Sequence, residues 1–180
     1  TNYPPINWKS YYNPHDLQNN IPLKTVYIGS LSLKDTYIKE YCEWVNLQAG
    51  HINFDIYCFN LHEDTKKYLS KLNSPYINYY NHGIEYKKIP KLLMDYDIGL
   101  ILYKANTQNY KYNHTNKLFE YLSCGLDVWY SDKMITINKM EKNYYPKIVP
   151  VNFENIGVFD LSQAIDRNGL SRLDYKTYAE

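Results

Sequence analysis

The 180-residue chain has only two arginines and three cysteines, and it lacks several patterns that would assign it quickly. Cys42, Cys58 and Cys124 are too few and too scattered for a disulfide framework or a zinc ribbon, so they read as small buried apolar residues in a reducing, cytoplasmic setting. No apolar run approaches the roughly 20 residues that cross a bilayer, and no signal peptide is visible, so no direct membrane span is expected. Neither sign of charge dominates: Lys+Arg 20 against Asp+Glu 19 gives a formal net charge of +1. That balance offers no global electrostatic reason to bind nucleic acid or an anionic membrane. Neither G-x-G-x-x-G nor G-x-x-x-x-G-K-[ST] occurs, which argues against dinucleotide-fingerprint and P-loop chemistry. No His, Cys, Asp and Glu grouping has metal-ligand spacing, so no metal is expected.

What is abundant is tyrosine, 22 residues against 5 Phe and 3 Trp. Tyr, Asn, Lys and Ile together make 76 of the 180 residues. All four use A/T-rich codons, so base composition explains the excess more simply than an aromatic surface does, and Tyr is also a good strand former. The first twenty residues hold three Pro and five Asn without periodicity. Residues 1–22 therefore read as a linker that follows another domain, and residues 23–180 as one domain with a helical tail.

Along that domain two textures alternate. Lys24 to Ser30, Asn53 to Phe59, Tyr76 to Tyr80, Asp97 to Tyr103, Val128 to Ser131 and Lys147 to Asn152 are short apolar, β-branched or aromatic runs that predict strands. Between them, Asp35 to Ala49, His62 to Leu72, Tyr86 to Tyr96, Thr115 to Cys124 and about Asp132 to Lys142 carry helical spacing, with Gly125 as a C-cap. Lys104 to His114 reads as a polar loop. Alternating strands and helices predict an α/β fold, a Rossmann-like three-layer αβα domain with a mainly parallel sheet of about six strands. In such sheets ligands bind at the carboxyl ends of the strands, where the strand order reverses. The loops to inspect are thus Gly29 to Lys34, Asn81 to Glu85, Lys104 to Asn116 and Gly125 to Asp127.

The densest of these contains Thr115, Asn116, Lys117 and Glu120. Thr115 is a candidate N-cap, which leaves the next amides pointing out of the helix start toward an anion. Lys117 in the first turn opposes the helix dipole unless an anion is bound there. Glu120 follows one turn later and can face the same cleft. Amides and a lysine for phosphates, with a carboxylate for vicinal ribose hydroxyls, suit a nucleoside diphosphate. The same spacing also fits an ordinary amphipathic helix with Lys and Glu in water.

The run NKLFEYLSCGLDV, preceded by DIGLILYKANTQNYKYNHT, resembles the nucleotide-sugar-binding half of GT-B glycosyltransferases. Val26 to Leu31 is similar to the glycine loop after the first strand of that half, and Tyr80 to Leu93 is similar to its histidine-glycine loop and following helix. The resemblance spans roughly Lys24 to Asn152. It implies one half of a GT-B fold, the C-terminal domain that binds a nucleoside diphosphate sugar as donor, with no metal. The acceptor-binding domain would precede it in the same polypeptide and could attach peripherally to a membrane. It implies that Glu120 binds ribose hydroxyls and that Thr115, Asn116 and Lys117 face the diphosphate. Gly29 and Ser30 would approach the diphosphate from the other side, and His82, Gly83 and Ile84 would lie beside the base. The implied reaction is sugar transfer to an acceptor in cell-surface polysaccharide or glycolipid synthesis, with this chain inactive alone and its catalytic residues unassigned.

Departures from the family pattern stand beside the matches. The acidic residue common eight positions before the ribose-binding Glu is Tyr112 here, so the chain belongs with N-K-x-x-E variants and the stereochemistry stays open. The basic residues usual after the glycine loop are missing, with Lys34 the nearest cation. Asp127 stands where proline is common. Tyr103, Tyr110 and Tyr112 are the tyrosines placed to meet a ligand, and His114 reads as a surface loop residue. A nucleotide-sugar epimerase of the same fold and a non-catalytic Rossmann-like module are the alternatives. The latter calls for a contiguous exposed aromatic patch.

Overall fold

The structure is a computed structural model that describes residues 3–59, 61–113, 115–140 and 143–174. In chain order its first half comprises β1 (Leu23–Ile28), α1 (Ile38–Leu47), β2 (Ile52–Tyr57), α2 (Glu63–Ser70), β3 (Ile77–Tyr80), α3 (Ile89–Leu93) and β4 (Ile98–Ile101). The second half comprises α4 (Gln108–Tyr112), α5 (Asn116–Cys124), β5 (Asp127–Ser131), α6 (Ile135–Asn138), β6 (Tyr144–Tyr145), β7 (Ile148–Val151), α7 (Leu161–Ile165) and β8 (Ser171–Arg172). Six strands form one sheet in the order β3-β2-β1-β4-β5-β7, and every pairing in it is parallel. The expected α/β, Rossmann-like three-layer arrangement is therefore present.

Each face of the sheet carries its own apolar cluster. On one, Ile38, Tyr41, Trp44 and Val45 of α1 pack with Tyr27, Phe54, Trp129 and Phe153. On the other, Leu118, Tyr121 and Leu122 of α5 pack with Val26, Val128 and Tyr130. β4 is buried along its whole length, which is why its sequence reads as an unbroken apolar run rather than an alternating one. Gly99 in β4 makes the closest helix contact possible: a Cβ there would lie 2.2 Å from Cγ of Tyr121. The Tyr121 hydroxyl in turn accepts the amide of Ile28 at 3.2 Å. α5 is thereby pinned to both β4 and β1.

Residues 3–22 lie against this body. Trp8 is buried in the α5 face and Leu17 in the α1 face. The Asn13 amide bonds the carbonyl of Cys124 at 3.2 Å, and Gly125 ends α5 with φ 93, in the left-handed region expected of a glycine C-cap. At Asp97 the carboxylate meets His15 Nδ1 at 2.8 Å, Asn20 Nδ2 at 2.6 Å and the Lys24 amide at 2.8 Å, so it ties this segment to the start of β4. Asp127, at the start of β5, is fully buried and paired with Arg167 at 2.6 Å, which supplies a structural reason for an aspartate at that position.

Several helices differ from expectation. α1 begins at Ile38 rather than Asp35, and Leu47 is exposed. The stretch Tyr86 to Tyr96 is a short 3-10 turn, Tyr86–Lys88, followed by the five residues of α3, whose second residue is Pro90. The stretch Lys104 to His114 is not all loop, because Thr107 caps α4 by accepting the Tyr110 amide. The helix expected from Asp132 to Lys142 is only α6, and residues 141 and 142 lie outside the described residues. The described end of the chain holds α7 and β8. Tyrosines are spread through the interior and surface: Tyr27, Tyr41, Tyr121 and Tyr130 are buried, whereas Tyr3, Tyr86 and Tyr112 are exposed. The three cysteines are buried and free, and burial pushes their thiols up to about 12.

Candidate functional site

The sheet order reverses between β1 and β4, since the chain goes outward through β2 and β3 and returns to the other side of β1. The connections leaving the carboxyl ends of β1 and β4 diverge there, the position at which open parallel sheets form a ligand-binding crevice. Gly29 ends β1 with φ 121, its amide bonded to the Tyr57 carbonyl at 2.9 Å. A Cβ at Gly29 would lie 3.0 Å from both Cε and Nζ of Lys117. Glycine there lets the lysine of α5 cross directly over the end of β1.

Lys117 is held by aromatic side chains rather than by a carboxylate. Its Nζ donates to the Tyr103 hydroxyl at 3.1 Å and sits 5.4 Å from the ring centroids of Tyr27 and Tyr103. The Tyr27 hydroxyl donates to the Ser30 carbonyl at 2.6 Å, and Tyr103 stacks on Tyr110 at 4.8 Å. Burial and the neighbouring Tyr103 and Tyr121 hold the Tyr27 phenol well above its usual range. The ammonium thus faces aromatic rings and hydroxyls, and among the described residues no carboxylate lies within ion-pair distance of it.

Glu120 is the other unbalanced group. It is partly buried, and among the described residues its carboxylate has neither a hydrogen bond nor an ion pair. Burial raises the pKa of its carboxyl above the ordinary glutamate range, while the nearby Lys117 charge pulls it part of the way back. Burial, and after it the Glu120 charge, raise the Tyr86 phenol; the Tyr86 ring, in the turn after β3, lies 5.4 Å from that of Trp8, which is buried in the α5 face. The loop between β3 and Tyr86 carries Gly83, buried with φ 62, and Ile84, which packs against the α5 face.

The candidate residues thus separate by environment. Lys117, Gly29 and Ser30 come together at the end of β1, and Glu120 stands near Lys117 on the same helix. Gly83 and Ile84 lie in the loop that leads from β3 to Tyr86. His82 is exposed, without a contact to this group. Asn116 is exposed at the first turn of α5. Thr115 has the extended backbone of an N-cap, but its hydroxyl is buried and makes no hydrogen bond, so it does not cap the helix through its side chain. Lys34 is exposed, whereas Lys104 is the cation that reaches the loop after β1, donating to the Leu33 carbonyl at 3.1 Å and lying 3.6 Å from Glu40. Tyr112 is exposed on α4, and His114 lies outside the described residues.

Roomy depressions lie elsewhere. One of about 600 Å³ is lined by Lys88, Leu92 and Met94, one of about 500 Å³ by Lys147, Pro150, Asn152 and Phe159, and one of about 400 Å³ by His15, Tyr145 and Arg167. None of the three is lined by Gly29, Lys117 or Glu120. Charge and topology therefore favour the crevice over the roomier hollows. Among the described residues no three His, Cys, Asp or Glu side chains group to hold a metal, and no helix is long and apolar enough to cross a membrane.

Two residues at this end escaped the sequence reading. Phe59 and Tyr86 are large, about half exposed aromatics. Phe59 ended an apolar strand run and Tyr86 opened an expected helix, so each read as scaffold. Comparison with known proteins adds no assignment: no family model matches the chain, and no curated protein matches it.

Proposed function

We propose that the crevice binds a nucleoside diphosphate sugar and that the chain is the donor-binding domain of a glycosyltransferase. The observation that carries this reading is the pair of charges on one helix, a partly buried Glu120 whose carboxylate has no hydrogen bond or ion pair among the described residues and a Lys117 whose ammonium is held by Tyr103 and Tyr27. A diphosphate placed between Gly29 and the start of α5 meets the ammonium of Lys117 and the free amides of the helix start. Charge-assisted hydrogen bonds of that kind are the strong ones. Glu120, one turn along, then accepts from two ribose hydroxyls, which gives its partly buried carboxylate hydrogen-bond partners.

Such a site assists transfer through the leaving group. As the bond between the sugar and the diphosphate breaks, negative charge grows on the phosphate oxygens, and fixed amides and a lysine stabilise it without reorganising. The acceptor and any catalytic base would come from another domain, so this chain binds donor without transferring sugar.

Titration with UDP, GDP and their sugars tests the proposal. Binding is expected for at least one series, and Glu120→Ala should weaken it on the order of ten- to a hundredfold, the scale of losing hydrogen bonds to a charged group. Absence of binding to all of them, or an unchanged affinity in Glu120→Ala, would overturn it.

A further inference from the structure

The β2 side of the site has no role in the contacts to phosphate and ribose, yet it carries an unusual aromatic. The alternation along β2 sends Ile52, Phe54 and Ile56 into the α1 face. Asn53, Asp55 and Tyr57 face the other way, where they are only partly buried. On β3 the residues sharing that second face are Asn78 and Tyr80. Tyr80 stacks on Tyr57 at 4.4 Å with the rings 8° from parallel. α3 has five residues and packs with α5. The second face of the β2–β3 edge is therefore polar and aromatic rather than closed by apolar packing. Phe59, two residues after Tyr57, stands at the carboxyl end of this strip and is 52% exposed.

A half-exposed phenylalanine at a strand end is ordinary when it is loose, but this one is held. Gly83 lies against its ring so closely that a Cβ on Gly83 would come within 2.7 Å of Phe59 Cδ1. Gly83 itself has a left-handed backbone, and its amide bonds the Tyr80 carbonyl at 3.3 Å. The ring therefore rests against a fixed backbone surface, and much of it is open to solvent. Beyond Gly83 the same loop leads through Ile84, which packs on the apolar cluster of the α5 face, to Tyr86, whose ring lies 5.4 Å from Trp8 of that cluster. A ligand whose ribose meets Glu120 and whose phosphates meet Lys117 would carry its base toward this loop.

We propose that Phe59, braced by Gly83, is the stacking platform for the base of the bound nucleotide. This rests on the donor-site reading above and adds the group that would give the site its preference for a nucleotide over a bare diphosphate. Every base has a flat π face, so a phenyl platform contributes affinity without choosing among bases, while hydrogen bonds from the loop backbone are left to read the ring edge.

The test compares UDP and GDP with inorganic pyrophosphate as titrants of the wild-type chain, Phe59→Ala and Phe59→Trp. Wild type should bind a nucleoside diphosphate more tightly than pyrophosphate. Phe59→Ala should weaken the nucleoside diphosphate by about tenfold or more, the scale of one base–aromatic stack, and leave pyrophosphate unchanged. Phe59→Trp should retain affinity and lose part of its added indole fluorescence when the nucleotide binds. Because the ring is half exposed, thermal unfolding of both variants should stay near that of wild type, which excludes misfolding as the cause. If wild type and Phe59→Ala bind the nucleotide equally, the platform is refuted while the donor site stands. Failure of wild type to bind either nucleotide overturns both.

Discussion

At the scale of single residues, the crevice carries a conflict between stability and binding, and Glu120 is its centre. A carboxylate that burial raises above its ordinary range is ionised at neutral pH at a cost to the folded state. The sign follows from linkage. The folded chain holds that proton to a higher pH than the unfolded chain does, so stability falls as pH rises from about 4.5 through the raised folded-state value. Glu120→Gln removes the charge and nearly keeps the shape. It should raise the thermal midpoint at pH 7 relative to wild type, and the advantage should shrink as the buffer is brought below pH 4.5, where wild type is protonated as well. The same substitution should weaken nucleotide binding. In wild type the affinity should decline on the acid side as the carboxylate is neutralised. Thermal scans across a pH series together with titrations at the two extremes check both halves, and a Gln variant that is less stable at pH 7 would contradict the account. Residues poised for a ligand often carry such a cost in the free protein.

At the scale of elements, the placement of α5 decides whether the two charges reach the crevice at all. Gly99 and Tyr121 set it: the strand presents bare backbone where the helix presents its largest ring. Gly99→Ala would drive a methyl group into that ring, an overpacking that costs about 3 kcal/mol and that α5 can relieve only by lifting from β4. A denaturant unfolding curve should show that loss. Nucleotide affinity should fall with it, because Lys117 and Glu120 move with the helix. Elements of this kind were legible to different degrees in the sequence. β4 declared itself through DIGLILY, since a strand buried on both faces leaves no room for polar residues. α4 did not, because QNYKY has no apolar stripe and is fixed by the Thr107 cap and by the stack of Tyr110 on Tyr103. The helix after β3 was overestimated because apolar spacing continues through Pro90, whereas the backbone makes a 3-10 turn first and starts α3 around the proline. In the site, the spacing of Lys117 and Glu120 on one helix was readable in advance. Their contact with Gly29 and Tyr103 joins segments far apart in the chain, and no local pattern encodes it.

At the scale of the whole molecule, the two ends of the parallel sheet have separate tasks. At the carboxyl end Lys117 and Glu120 form no ion pair among the described residues. At the amino end two carboxylates are paired: Asp97 accepts from Asn20 and the Lys24 amide and meets His15, and Asp127 accepts through Oδ1 from Arg167 and the Lys147 amide, while its buried Oδ2 makes no hydrogen bond. Both carboxylates have side chains that are 0% exposed, and their side-chain partners, His15, Asn20 and Arg167, come from residues before β1 and after α7, so the segments flanking the sheet are stitched to strand starts. The sequence suggested a linker for residues 1–22 because isolated anchors such as Trp8 and Leu17 make no periodic pattern. The Asp127 pair offers the cleanest separation of the two tasks. Arg167→Ala leaves a buried carboxylate without its cation, a change worth about 3 kcal/mol or more in stability, because an unpaired buried charge costs far more than a pair gains. Asp127→Asn combined with Arg167→Met should recover much of that loss, since the charge and its partner leave together. None of these side chains lies at the β1–β4 reversal, so the fraction that remains folded should bind nucleoside diphosphate within about twofold of wild type, well under the 1.4 kcal/mol of a tenfold change. Chemical unfolding and titration on the same preparations check this. A loss of affinity that tracks the loss of stability would mean that the amino-end pair also sets the geometry of the crevice.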